Sequence, residues 1–122
     1  MTSRVRSITF DCADPFAIGA FWSAVTGRPA VNDGTAEEPE VMLAGPDGSA
    51  LPNLLFIPVP EGKTVKNRVH LDLQPEDRTR DEEVARLIGL GATLVADHRA
   101  PDGTGWALLA DPNTRDYQFC AA

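Results

Sequence analysis

The sequence predicts an α+β domain in which one supersecondary unit is written twice, and three observations carry that expectation. Ser7–Cys12 and residues 68–73 both alternate polar and apolar side chains with period two, as strands with one buried face do. Each is followed by a helical stripe of apolar residues that stops at a glycine, Gly27 or Gly91. Behind each glycine lie short apolar runs separated by turn residues. The halves, roughly 5–59 and 68–120, therefore match element for element within a single domain spanning residues 1–122.

In the first strand Ile8, Phe10 and Cys12 share one face. Asp14 then supplies an N-cap carboxylate and Pro15 the residue favoured at the first helical position. Ile18, Phe21, Trp22 and Val25 recur at i, i+3, i+4 and i+7, which defines a core-facing helix closed by Gly27. Residues 30–40 lack apolar period and read as an exposed loop with a short strand at its start. Val41 to Ala44 and Leu54 to Ile57 are strands flanking the turn Gly45-Pro46-Asp47-Gly48. In the second half, Val84, Leu87 and Ile88 mark the helix and Gly91 its end. Strands follow at 92–96, 106–109 and 117–120, with turns at Pro101-Asp102-Gly103 and Asp111-Pro112-Asn113. Trp22 and Trp106 are expected in the core and cleft walls, and His98 at the surface.

At 122 residues, 43% hydrophobic and 24% charged, the chain has the composition of an ordinary folded, soluble domain. The N-terminal residues run straight into an alternating strand without an apolar stretch, so neither a secretory signal nor a membrane helix is expected, and a cytoplasmic location follows. In that compartment Cys12 and Cys120 are expected as thiols. Eighteen acidic against eleven basic residues give a net charge of −7, which repels a phosphate backbone and argues against nucleic acid as a partner. Lys63, Lys66 and Arg68 form a basic cluster that reads as a solvated loop in preference to an anion-binding edge.

Strand, helix and three strands, twice over, resemble the βαβββ module of the vicinal oxygen chelate superfamily, in its glyoxalase/bleomycin-resistance/dioxygenase group and more narrowly its glyoxalase-like branch. The stretches that carry the resemblance are Asp11-Cys12-Ala13-Asp14-Pro15 through Phe21-Trp22, residues 63–73, and Gly89-Leu90-Gly91-Ala92 followed by Leu109-Ala110-Asp111-Pro112. The resemblance implies curved mixed sheets around a cleft, with helices on the outer face. In that frame Val69, Leu71 and Leu73 face the second helix. Ser7, Thr9 and Asp11 face the cleft from the first strand, and Arg68, His70 and Asp72 from the fifth.

Family enzymes hold a divalent metal with His or Glu on four cleft strands, and the matching positions here are Ser7, approximately Ile57, Arg68 and Gln118. Isoleucine offers no lone pair, arginine repels a cation, and serine and glutamine are weak neutral donors. No metal is therefore expected. A shifted divalent site using Asp11, His70 and Asp72 is the less favoured alternative, because Arg68 more simply pairs with those carboxylates. The lost metal positions motivate a metal-independent binder of a small polar organic molecule, contacted by Thr9, Asp11, Arg68, His70, Asp72 and Gln118 around a mainly apolar wall. Two other readings stay open: an isomerase or lyase of the glyoxalase kind with His70 as acid or base, oriented by Asp11 or Asp72, and a non-catalytic interaction protein forming a homodimer.

Overall fold

The computed structural model describes residues 2–62, 64, 65, 67–112 and 118–121, the last four by their backbone alone. The chain divides into two units, Met1–Gly62 and Lys63–Ala122. The first contains β1 (Ser7–Cys12), α1 (Pro15–Thr26), β2 (Ala30–Asn32), β3 (Val41–Leu43) and β4 (Asn53–Pro58). The second contains β5 (Leu71–Leu73), α2 (Arg80–Gly89), β6 (Thr93–Asp97), β7 (Ala107–Ala110) and β8 (Gln118–Ala121). The two sheets share one topology, β1-β4-β3-β2 and β5-β8-β7-β6, with the first strand parallel to the last and the remaining neighbours antiparallel.

In the first unit the expected alternation of β1 is present: Phe10 and Cys12 are buried and Ile8 half-buried, while Ser7, Thr9 and Asp11 are exposed. Phe10 stacks on Phe56 of β4, its register partner, with ring centroids 5.3 Å apart. The Cys12 thiol donates to the Ile57 carbonyl at 3.3 Å. Asp14 caps α1 by accepting from the Phe16 and Ala17 amides at 3.0 and 3.2 Å. Ile18, Phe21 and Trp22 are buried from the helix side. Gly19 permits the close approach of α1 to the sheet, since a Cβ there would lie 2.5 Å from Val41 Cγ1.

Both helices stop by left-handed glycines, through two versions of one device. Gly27, at φ 74°, returns its amide to the Ser23 carbonyl at 2.8 Å. In α2 the cap is Leu90, and Gly91 lies one residue beyond it at φ 117°. Its amide bonds to Ile88 and that of Ala92 to Leu87, each at 3.0 Å, which is the Schellman pattern. The N-terminus of α2 carries a reciprocal capping box between Thr79 and Glu82.

Three expectations in the second unit need correction. The fifth strand is shorter than its alternation suggested, covering Leu71–Leu73, so Arg68 and His70 precede it and Val69 is 74% exposed instead of packed under the helix. Ile88 is 44% exposed, so the packed stripe of α2 rests on Val84 and Leu87. Trp106 is 46% exposed at the β6–β7 hairpin, where its ring lies 4.9 Å from that of the exposed His98. Sequence alternation continues past a strand whenever loop residues happen to alternate, and only the ladder of backbone bonds ends it.

The β6–β7 hairpin is held from outside by α2. Arg80 donates to the Thr104 and Ala100 carbonyls, and Arg99 pairs with Asp97 and Asp81. The Arg99 guanidinium and backbone amide lower the Asp97 carboxyl to about 2. The buried carboxylate of Glu83 is held in a bidentate pair with Arg86, at 2.6 and 3.0 Å, as a charge withdrawn from water requires. Among the described residues no helix is long and apolar enough to cross a membrane.

Candidate functional site

The side of the first sheet that carries Thr9 and Asp11 faces away from the buried residues beneath α1. In register, Thr9 lies opposite Leu55, Leu55 opposite Met42, and Met42 opposite Val31. Asp11 lies opposite Ile57. The row therefore begins polar on β1, at the sheet edge, and turns apolar across β4, β3 and β2. Leu55, Ile57 and Met42 are half-buried, and Val31 is 53% exposed. Thr9 and Asp11 stand two residues apart on one strand, about 7 Å at the backbone. Among the described residues Asp11 forms no ion pair.

An apolar wall was expected from the sequence and Ile57 was placed on a cleft strand, but Leu55, Met42 and Val31 were not named, although a signal for them was present. Leu54 to Ile57 is apolar at every position, whereas β1 alternates. A strand without polar alternation has apolar surface on both faces, and β4 lies between β1 and β3 within its sheet.

In the second unit the candidate residues are distributed differently from the expectation. Arg68 is exposed and His70 half-buried in the segment before β5, and Asp72 is exposed at the middle of that strand. His70 Nε2 lies 2.9 Å from the Asn67 carbonyl. A carbonyl only accepts, so Nε2 carries the proton, and in the neutral ring the Nδ1 lone pair is the one left available. The ring is thus oriented by a backbone group three residues away, where the sequence had suggested Asp11 or Asp72. No ion pair joins Arg68 to Asp72 among the described residues. Gln118 opens β8 opposite Ala110, and its side chain lies outside the described residues, as do Lys63, Lys66, Asn113 and the Cys120 side chain.

The residues at the four metal positions do not fit a divalent ion. Ile57 is level with Asp11, four residues along β1 from Ser7, and contributes only hydrocarbon. Arg68 brings a fixed positive charge. Among the described residues no three His, Cys, Asp or Glu side chains are grouped to hold a metal.

Comparison with solved structures shows the same fold. The fosfomycin resistance protein FosX from Mesorhizobium loti aligns with a TM-score of 0.70 at 15% identity, covering 98% of this chain and 90% of that one. A glyoxalase/bleomycin resistance protein/dioxygenase family enzyme from Burkholderia phytofirmans aligns at 0.67 and 19% identity, covering 97% and 96%. TnmS3, an antibiotic binding protein from a Streptomyces species, aligns at 0.64 and 18%, covering 98% and 93%. No curated protein is similar enough in sequence to match. The family model for the glyoxalase-like domain matches residues 7–121, nearly the whole of both units. With two βαβββ units of identical topology and that match along their length, the chain belongs to the glyoxalase-like domain family of the vicinal oxygen chelate superfamily.

Proposed function

We propose that this protein binds a small polar organic molecule without the divalent metal used by enzymes of its superfamily. The observation that carries the reading is the face of the first sheet opposite α1, where Thr9 and Asp11 border the half-buried Leu55, Ile57 and Met42. Such a surface offers an apolar wall with hydrogen-bonding groups at one margin, the composition that ligand sites share. Arg68, His70, Asp72 and Gln118 are the proposed ligand contacts of the second unit. That TnmS3 is an antibiotic binding protein shows that this fold accommodates binding, and supports the reading.

The test is a thermal-shift screen of the purified protein against polar drugs and metabolites, with and without a chelator. A compound present at about 100 times its dissociation constant stabilises the fold by about 2.7 kcal/mol, a shift of several degrees. The expected result is at least one such compound whose shift survives chelation and falls in Asp11→Asn. A panel with no response, or a response abolished by chelator, overturns the proposal.

A second reading, acid–base catalysis by His70 in an isomerase or lyase, is favoured by one observation, the Nε2 to Asn67 contact that leaves Nδ1 to act on a substrate. It predicts that turnover of any compound found in the screen falls roughly a hundredfold or more in His70→Ala, a typical loss when a general base is removed. Unchanged turnover sinks it. Homodimer formation and a cytoplasmic location are part of the same proposal, and light scattering with the compound present and absent reads the first.

A further inference from the structure

At the start of the first sheet, away from Asp11, the segment before β1 and the β3–β4 connection line a half-open cavity of about 140 Å³. Arg4 and Arg6 line it, together with Ser49 and Asn53, with Val5 and Leu51 as apolar parts of the rim. Among the described residues neither arginine forms an ion pair, and no residue lining the cavity is acidic. In this chain of net charge −7, Arg78, Arg80, Arg86 and Arg99 are paired with carboxylates, whereas among the described residues Arg4 and Arg6, like Arg28 and Arg68, are not. Arg4 and Arg6 are exposed residues that line one cavity without a counter-charge, and an anion there gains two charge-assisted donors.

The neutral groups present are donors as well. Asn53 Oδ1 already accepts from the Gly45 amide at 2.8 Å, which leaves its amide NH2 to donate. Ser49 Oγ accepts from the Leu51 amide at 3.3 Å, which leaves its hydroxyl proton. The cavity is held open by backbone bonds: Asn53 N donates to the Arg6 carbonyl at 2.9 Å and Ser49 N to the Pro46 carbonyl at 3.0 Å. A half-open cavity of this size accommodates one tetrahedral oxyanion. From Ser7, next to Arg6, to Asp11 the strand rises about 13 Å, so the cavity is separate from the ligand face proposed above.

We infer that this cavity is a binding site for a single phosphate group, whose two negative charges match the Arg4 and Arg6 guanidiniums. The source is either free phosphate or the phosphoryl end of a small phosphomonoester, and the rim of Val5 and Leu51, 63% and 57% exposed, leaves room for the remainder of such an ester outside.

The experiment is an amide-resonance titration of the full chain with inorganic phosphate and, separately, with phenyl phosphate, each against chloride at matched ionic strength. Saturable shifts confined to residues near 4–6 and 45–53 are expected. Binding weakens roughly tenfold or more in the double variant Arg4→Gln/Arg6→Gln, while its unliganded melting temperature stays that of the parent. Tighter binding of phenyl phosphate identifies the ester as the source, and equal binding identifies free phosphate. A response reproduced by chloride, shifts that do not saturate, or undiminished binding in the double variant overturns the inference. The ligand-face screen uses a different readout and variant, so either proposal can fail alone.

Discussion

Replacing Phe56 with alanine removes about 3–5 kcal/mol of folding stability, a large part of what a domain of this size possesses. Phe56 is fully buried in β4, between β1 and β3, and is the register partner of both Phe10 and Val41. Its ring stacks on Phe10 at an interplanar angle of 18°. The truncation therefore removes buried apolar area, leaves a cavity that a strand bonded on both sides cannot close, and loses an aromatic pair contributing about 0.5–1.5 kcal/mol beyond its area. For a chain of this length the melting temperature falls by roughly 10–20 °C. Phe16→Ala is the matched control, because Phe16 is 53% exposed on α1 and its loss stays within about 0.5 kcal/mol. Urea denaturation of both variants checks the claim, and equal midpoints would show that β4 is not the centre of the first unit's core.

Gly105→Ala damages the β6–β7 hairpin, and by more than Gly103→Ala. Both glycines have positive φ, 85° and 90°, so alanine at either carries a similar backbone penalty of about 1–2 kcal/mol. The difference is space. A Cβ at Gly103 meets nothing within 4 Å, whereas one at Gly105 overlaps the His98 carbonyl oxygen and lies 3.2 Å from Arg99 Cα. The opposing atoms are backbone and cannot rotate away. The hairpin must open, which strains the His98 to Trp106 and Ala100 to Thr104 bonds, each 2.9 Å. The extra cost is about 1–3 kcal/mol, the range for overpacking at a rigid site. Denaturation midpoints give the difference between the variants, and amide exchange at His98 and Ala100 locates it. If the two variants cost the same, the close approach at Gly105 has no energetic consequence.

The two units illustrate how far residue patterns reach. In the first, the alternation of β1, the Asp14-Pro15 start and the Gly27 stop all correspond to elements present, because each rests on an interaction within a few residues. In the second, the alternation from Arg68 to Leu73 is equally regular, yet only Leu71–Leu73 joins the ladder with β8. The candidate site shows the same division. Thr9 and Asp11 were legible as a shared face because the period of a strand is two. The orientation of His70 by Asn67 was not, since a local turn outside a strand leaves no period to read. Arg4 and Arg6, two charges in an unpatterned N-terminal segment, carried no signal at all.

Local chemistry in the sequence alone determined the order of elements, their repetition, both caps of α1, the glycine that ends α2 and the poor fit of Ser7, Ile57, Arg68 and Gln118 to a metal. These depend on periodicity, on residues within one or two turns, or on the donor atoms a side chain possesses. Only the tertiary structure decided the register that sets Asp11 beside Ile57 and Thr9 beside Leu55, the point where β5 begins, and the convergence of Arg4 and Arg6 on one cavity. Those depend on pairings between residues some 45 positions apart, as Thr9 and Leu55 are. Their closure is a balance of chain entropy against burial over the whole unit, and no short window of sequence contains it.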